Sequence, residues 1–257
     1  MPEFSSHTPG TFCWPELATT DQQSAVTFYR SLFGWEATEQ PVGPTETYSM
    51  FQMRGLEVAA ACTIRNEERQ HGVPPHWNAY VSVANADESV KRAQELGGKV
   101  IAPAFDVMDA GRIAVLQDPT GAVISVWQPK RHVGAKILRE PGALGWTELL
   151  TRDTAAAEKF YTQLFGWKAK VSPEYTEFSV GATPDAGMMK LDEKWGDVPP
   201  HWMPYFQVDD CDGLSAKSTQ LCGRVNVPPS DIPNVGRFAM VADPQGAIFS
   251  IIKIIRR

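Results

Sequence analysis

Trp14-Pro15-Glu16-Leu17, continuing through Asp21 and Phe28-Tyr29 to Leu32-Phe33-Gly34-Trp35, is a stretch that this chain writes twice. It returns as Trp146-Thr147-Glu148-Leu149, Asp153, Phe160-Tyr161 and Leu164-Phe165-Gly166-Trp167, at a constant offset of 132 residues (14 to 146, 35 to 167). A second block, Val73-Pro74-Pro75-His76-Trp77, comes back as Val198-Pro199-Pro200-His201-Trp202 at an offset of 125 (73 to 198). The same offset of 125 carries Gly111-Arg112 to Gly236-Arg237, and Asp118-Pro119-Thr120-Gly121-Ala122 to Asp243-Pro244-Gln245-Gly246-Ala247. The chain is one unit written twice, with seven fewer residues (132 − 125) in the loops of the second copy. Repetition sets the domain count before any other reading. It predicts a first domain over 1–131, a hinge over 132–142 and a second domain over 143–257.

Within the unit a smaller pattern recurs. Residues 12–19 read as a strand with Trp14, Glu16 and Ala18 on one face. Thr20 and Gln23 have capping-box spacing, which predicts a helix from Asp21. Its apolar positions Ala25, Phe28, Tyr29, Leu32 and Phe33 fall at helical spacing, and Gly34 is a natural stop. Short strands follow near 35–40, 47–53 and 56–64, and the polar, proline-bearing stretch 65–75 reads as a loop. A second strand-helix-strands pattern begins at His76, where His76, Asn78, Tyr80 and Ser82 alternate with Trp77, Ala79, Val81 and Val83. Its helix opens at Asp87 and ends at Gly97-Gly98, and its strands fall near 99–102, 112–117 and 122–128. Asp118-Pro119-Thr120-Gly121 suits a type I turn. The predicted fold is α+β, with four β-α-β-β-β modules, two in each half.

Composition narrows the function classes. The chain has 257 residues, 43% hydrophobic and 21% charged, as soluble globular proteins do. A net charge of −6 and a pI near 5.4 argue against a nucleic-acid surface. No apolar run is long enough to cross a bilayer, and Met1-Pro2-Glu3-Phe4-Ser5 lacks the basic and apolar regions of a signal peptide. Cys13, Cys62, Cys211 and Cys222 form no C-x-x-C pair and do not recur at the repeat offsets, so free thiols in the cytoplasm are expected. The expected partner is a small molecule, with neither nucleic acid nor membrane; oligomeric state is left open.

Paired β-α-β-β-β modules, with F-Y-x-x-L-F-G-W closing the first helix and D-P-x-G-A before the last strand, resemble the vicinal oxygen chelate superfamily. That group holds glyoxalase I, bleomycin-resistance proteins and extradiol dioxygenases. The tandem arrangement is most similar to an actinobacterial branch of hydroxylase-like proteins and mycobacterial culture-filtrate antigens. The resemblance implies paired modules curling into two cups with helices outside, and usually a divalent metal held by His, Glu or Gln. Carried onto this chain, the family's ligand positions fall at Trp14 and Trp146, at Asn78 and Met203, and at Ser125 and Ser250. The fourth position is not placed as firmly; strand 56–64 offers only Glu57. Indole has no acceptor for a cation, and Asn, Met and Ser are poor substitutes for carboxylate and imidazole. The expectation is therefore no metal and no other cofactor, although a degenerate site with Glu16 and His76 on the cup face stays conceivable.

Glu16 and Glu148 are the repeated carboxylates of the cup strands, either general bases or structural anchors. His76 and His201 follow Pro-Pro at a strand start and read either as structural hydrogen-bond donors or as site residues beside Asn78 and Met203. Trp14, Trp146, Tyr80, Tyr205 and Trp127 supply an aromatic wall that either holds a flat ligand or fills the cup. Arg112 and Arg237 are expected to pair with Asp106 and Asp231, and Lys130-Arg131 and Lys136 to be solvated. Three functions fit. The first is a metal-independent protein that binds a small apolar or aromatic metabolite. The second is a lactoylglutathione-lyase-like or hydroxylase-type enzyme using a cup carboxylate, with or without an acquired divalent metal. The third is a non-catalytic interaction protein with filled cups.

Overall fold

The computed structural model describes residues 3–42 and 46–255. The first half runs β1 (Phe12–Thr19), α1 (Gln22–Phe33), β2 (Glu36–Pro41), β3 (Thr47–Met53), β4 (Leu56–Thr63), α2 (Asn66–Gln70), β5 (His76–Ser82), α3 (Ala86–Glu95), β6 (Lys99–Val107), β7 (Gly111–Gln117) and β8 (Val123–Pro129). The second runs β9 (Leu144–Thr151), α4 (Thr154–Phe165), β10 (Lys168–Val171), β11 (Tyr175–Val180), β12 (Thr183–Lys190), a 3-10 turn (Glu193–Trp195), β13 (His201–Gln207), α5 (Cys211–Gln220), β14 (Arg224–Ile232), β15 (Gly236–Ala242) and β16 (Ile248–Ile254).

Local chemistry explains most boundaries, and corrects some. Asp21 caps α1, its carboxylate accepting from Ser24 N at 3.0 Å, so the Thr20–Gln23 capping box does not form. An aspartate at the cap accepts more strongly than a hydroxyl and takes over that role. Asp153 does the same for α4, and Gly34 and Gly166 end the two helices at φ 75° and 70°, a left-handed turn that glycine adopts without cost. Asn85, not Asp87, caps α3. The stretch 65–75, expected to be loop, contains the short α2, where the Glu68 side chain accepts from Arg65 N. The ion pairs expected of Arg112 and Arg237 are present with Asp106 and Asp231, and each arginine also grips an aspartate on the neighbouring helix, Asp87 or Asp212.

Each half forms one eight-stranded sheet, ordered β2-β3-β4-β1-β5-β8-β7-β6 in the first and β10-β11-β12-β9-β13-β16-β15-β14 in the second. Two four-stranded modules meet edge to edge through antiparallel β1·β5 and β9·β13. The cores are not private to the halves. One cluster joins Tyr29, Trp35 and Phe51 to Phe206, Ala239 and Phe249; another joins Val81, Leu116 and Ile124 to Phe160, Tyr161 and Trp167. The outer face of the first module packs on that of the fourth, and the second on the third, with α1 against α5 and α3 against α4.

The motifs of the repeat meet at these junctions. Trp77 Nε1 donates to Tyr29 Oη at 3.0 Å, and Tyr29 Oη donates to Asp243 Oδ2 at 3.1 Å, across the halves. Trp202, Tyr161 and Asp118 form the reciprocal chain at 2.9 and 2.9 Å. Trp35 and Trp167 are buried as expected, and their indole N–H groups cross over too, to the carbonyls of Gly142 and Gly10 at 2.7 Å each. Within the connecting stretch 132–142, Ala135, Ile137 and Leu138 are buried, Ala135 and Leu138 in the first cup's apolar cluster and Ile137 in the core shared with Phe206 and Phe249.

Candidate ligand cups

Strand pairing sets two side-chain rows on the inner face of each sheet. In cup one they are Trp14–Tyr80–Ser125 and Ala60–Glu16–Asn78, with His76 one row outward beside Ala18. In cup two they are Trp146–Tyr205–Ser250 and Gly187–Glu148–Met203, with His201 beside Leu150. Trp127 joins the first cup's apolar cluster with Trp14, Tyr80, Met50 and Ile113. All thirteen predicted site residues thus lie on inner faces, seven in cup one and six in cup two, as counted along these rows. Period-two alternation made this legible.

In each cup a carboxylate sits beside two tyrosines. Glu16 accepts from Tyr48 Oη at 2.6 Å and from Tyr80 Oη at 2.7 Å, and Trp14 Nε1 donates to Tyr48 Oη at 3.1 Å. Glu148 accepts from Tyr205 Oη at 2.7 Å, while Trp146 Nε1 donates to Tyr175 Oη at 3.0 Å. Burial pushes the Glu148 carboxyl above its ordinary range, against the opposing pull of Tyr205 and Tyr175. Burial, then the neighbouring carboxylate, raises the tyrosine pKa values in both cups. Tyr48 and Tyr175 escaped the sequence reading because they lie in short strands outside the conspicuous motifs; a shared Tyr in the third strand of both copies was the available signal.

The histidines are held locally. His76 and His201 each donate Nδ1–H to the carbonyl two residues back, Pro74 or Pro199, at 2.8 Å. A carbonyl can only accept, which fixes the tautomer; burial lowers the pKa of His201. Glu57 stands outside the paired rows, because the β4 register shifts between Ala59 and Glu57. It lies 3.6 Å from His132 Nδ1 and 3.9 Å from Lys136 Nζ, and these neighbours hold its carboxyl below the usual range. The inner position on that strand is Ala60, and its counterpart on β12 is Gly187. His132, from the linker, is a cup residue that the sequence did not reveal: its ring stands edge-on to Trp14 with centroids 4.6 Å apart.

The glyoxalase/bleomycin resistance protein/dioxygenase superfamily model matches residues 11–126 and again 143–251. The chain belongs to that superfamily. Curated relatives extend along its whole length. CFP32 of Mycobacterium tuberculosis is 42% identical, covering 98% of this chain and 98% of its own. The anthracycline biosynthesis protein DnrV of Streptomyces peucetius is 35% identical over 96% of this chain and 94% of its own. Among solved structures, the Mn(II)-bound glyoxalase from Novosphingobium aromaticivorans covers 95% of this chain and 82% of its own with TM-score 0.66 at 14% identity. The 2,3-dioxygenase LapB from Pseudomonas sp. KL28 gives 95%, 91%, 0.64 and 15%. At such identities these two speak for the fold alone.

A superfamily metal does not fit the residues found here. The inner rows offer one carboxylate per cup, and both oxygens of Glu16 are already taken by tyrosine hydroxyls. A Cβ at Gly187 would run into the Tyr175 hydroxyl, so the phenol fills the place a side chain would take there. Among the described residues no three His, Cys, Asp or Glu side chains cluster with metal-binding geometry. Likewise, no helix among them is long and apolar enough to cross a membrane.

Proposed function

We propose that this glyoxalase-superfamily protein binds a flat, apolar aromatic metabolite in a cup without the help of a metal ion. The supporting observation is the makeup of the inner rows, where Trp, Asn or Met, and Ser stand at the positions that the family resemblance assigns to cation ligands, with tyrosines beside them. Trp14–Tyr48–Glu16–Tyr80 and Trp146–Tyr175 are hydrogen-bonded, which fixes ring orientation before any ligand arrives. Preset aromatic faces favour a flat ligand and reduce the ordering cost of binding. The Streptomyces relative named for anthracycline biosynthesis is in keeping with this, since anthracyclines are built on fused aromatic rings.

The reading is tested on dialysed full-length protein by tryptophan quenching and calorimetry. Saturable quenching by a fused-ring phenol is expected at micromolar concentration, with no stoichiometric uptake of Mn, Ni, Zn or Fe as the divalent ion. A stoichiometric ion held by protein donors inside either cup overturns the proposal.

A further inference from the structure

The two cups are closed in different ways. Over cup one lies the chain's own linker. Ala135 N donates to Cys13 O at 2.7 Å, Lys136 N to Glu57 O at 2.8 Å, and Trp127 Nε1 to His132 O at 2.9 Å. Ala135 and Leu138 belong to that cup's apolar cluster, with Phe4 packed against it. Cover held by main-chain hydrogen bonds and apolar burial is part of the folded core.

Cup two is covered instead by the loop around the Glu193–Trp195 turn. Trp195 and Val198 pack half-buried against its cluster, and the Arg152 guanidinium donates to the carbonyls of Gly196 and Val198. The wall beneath differs from cup one. Met189, Met203 and Met240 stand where the first copy has Cys62, Asn78 and Val115. Unbranched thioether side chains repack around varied shapes at low cost. On the floor, Ser250 is fully buried, paired in the sheet with Tyr205 on one side and Met240 on the other. Its Oγ has no hydrogen-bond partner of ordinary geometry among the described residues. A buried hydroxyl left unpaired costs free energy that an incoming oxygen atom can recover.

We propose that cup one is sealed by the linker and that cup two is the working site. A flat aromatic ligand enters beneath Trp195, the three methionines repack around it, and a phenol or quinone oxygen of the ligand pairs with the Ser250 hydroxyl. This rests on the aromatic-binding reading above and adds to it which cup is used and which ligand atom is recognised.

The experiment uses full-length protein carrying 13C-methyl methionine, assigned by single Met→Leu variants and titrated with 1-naphthol and with naphthalene. The methyl signals of Met189, Met203 and Met240 are expected to shift, while that of Met50, in cup one, stays in place. Wild type is expected to bind 1-naphthol about tenfold more tightly than naphthalene, the worth of roughly one hydrogen bond. In Ser250→Ala that preference falls to about one, because only the naphthol affinity drops. The variant removes an unpaired hydroxyl, so it is expected to melt no lower than wild type. A shift at Met50 with the cup-two methyls silent overturns the assignment of the cup but leaves aromatic binding standing. A naphthol preference untouched by Ser250→Ala overturns the Ser250 contact. No response of any cup methyl to either compound removes this inference and the aromatic-binding reading together.

Discussion

Glu148 shows what burial does to one side chain. Its carboxyl is buried among aromatic rings, hydrogen-bonded to Tyr205, and has a pKa raised by desolvation. The folded state therefore holds this proton more tightly than the unfolded chain, whose value is near 4.5. Stability from this group is fully present below that value and is lost as pH rises through the raised folded value. Urea unfolding of wild type and Glu148→Gln across this range isolates the effect, since other titrating groups cancel in the difference. The variant is expected to gain on wild type as pH rises above about 4.5, where the unfolded carboxyl begins to ionise. A difference that stays flat with pH contradicts the raised value.

At the scale of elements, the repeated motifs act as connectors. Asp118 Oδ1 accepts from the backbone N–H groups of residues 120–122, forming its own turn, and Oδ2 accepts from Tyr161 of the other half. Asp243 treats Gln245, Ala247 and Tyr29 in the same manner. Around Tyr29 the rings of Trp77 and Phe249 lie with centroids 5.2 and 5.5 Å away. Tyr29→Phe keeps the ring packing but leaves the Trp77 N–H unpaired and removes a bond to a carboxylate. A loss of about 2 kcal/mol by urea unfolding is expected, and a similar loss for Tyr161→Phe. A cost near zero for both would mean that the relay is geometric coincidence.

At the scale of the molecule, two sheets share two cores. Because the two largest apolar clusters draw side chains from both halves, neither half buries the outer face of its sheet by itself. Expressed separately, residues 1–142 and 143–257 are each expected to lack a cooperative unfolding transition, and to recover one when mixed. The intact chain should unfold in a single step. Two independent transitions in the full-length protein would refute the shared-core account.

The sequence by itself determined the internal repeat, the four modules, the inner-face residues and the poverty of cation ligands. Those features follow from local periodicity and side-chain chemistry, which a strand or helix expresses wherever it lies. Only the tertiary structure decided that Tyr29 reaches Asp243 and Tyr161 reaches Asp118, that Ala60 and Gly187 take the fourth inner position, and that the linker brings His132 against Trp14. Nothing local encodes those choices. They depend on which apolar faces find cover when two curved sheets pack together, and on which buried polar atoms then find partners.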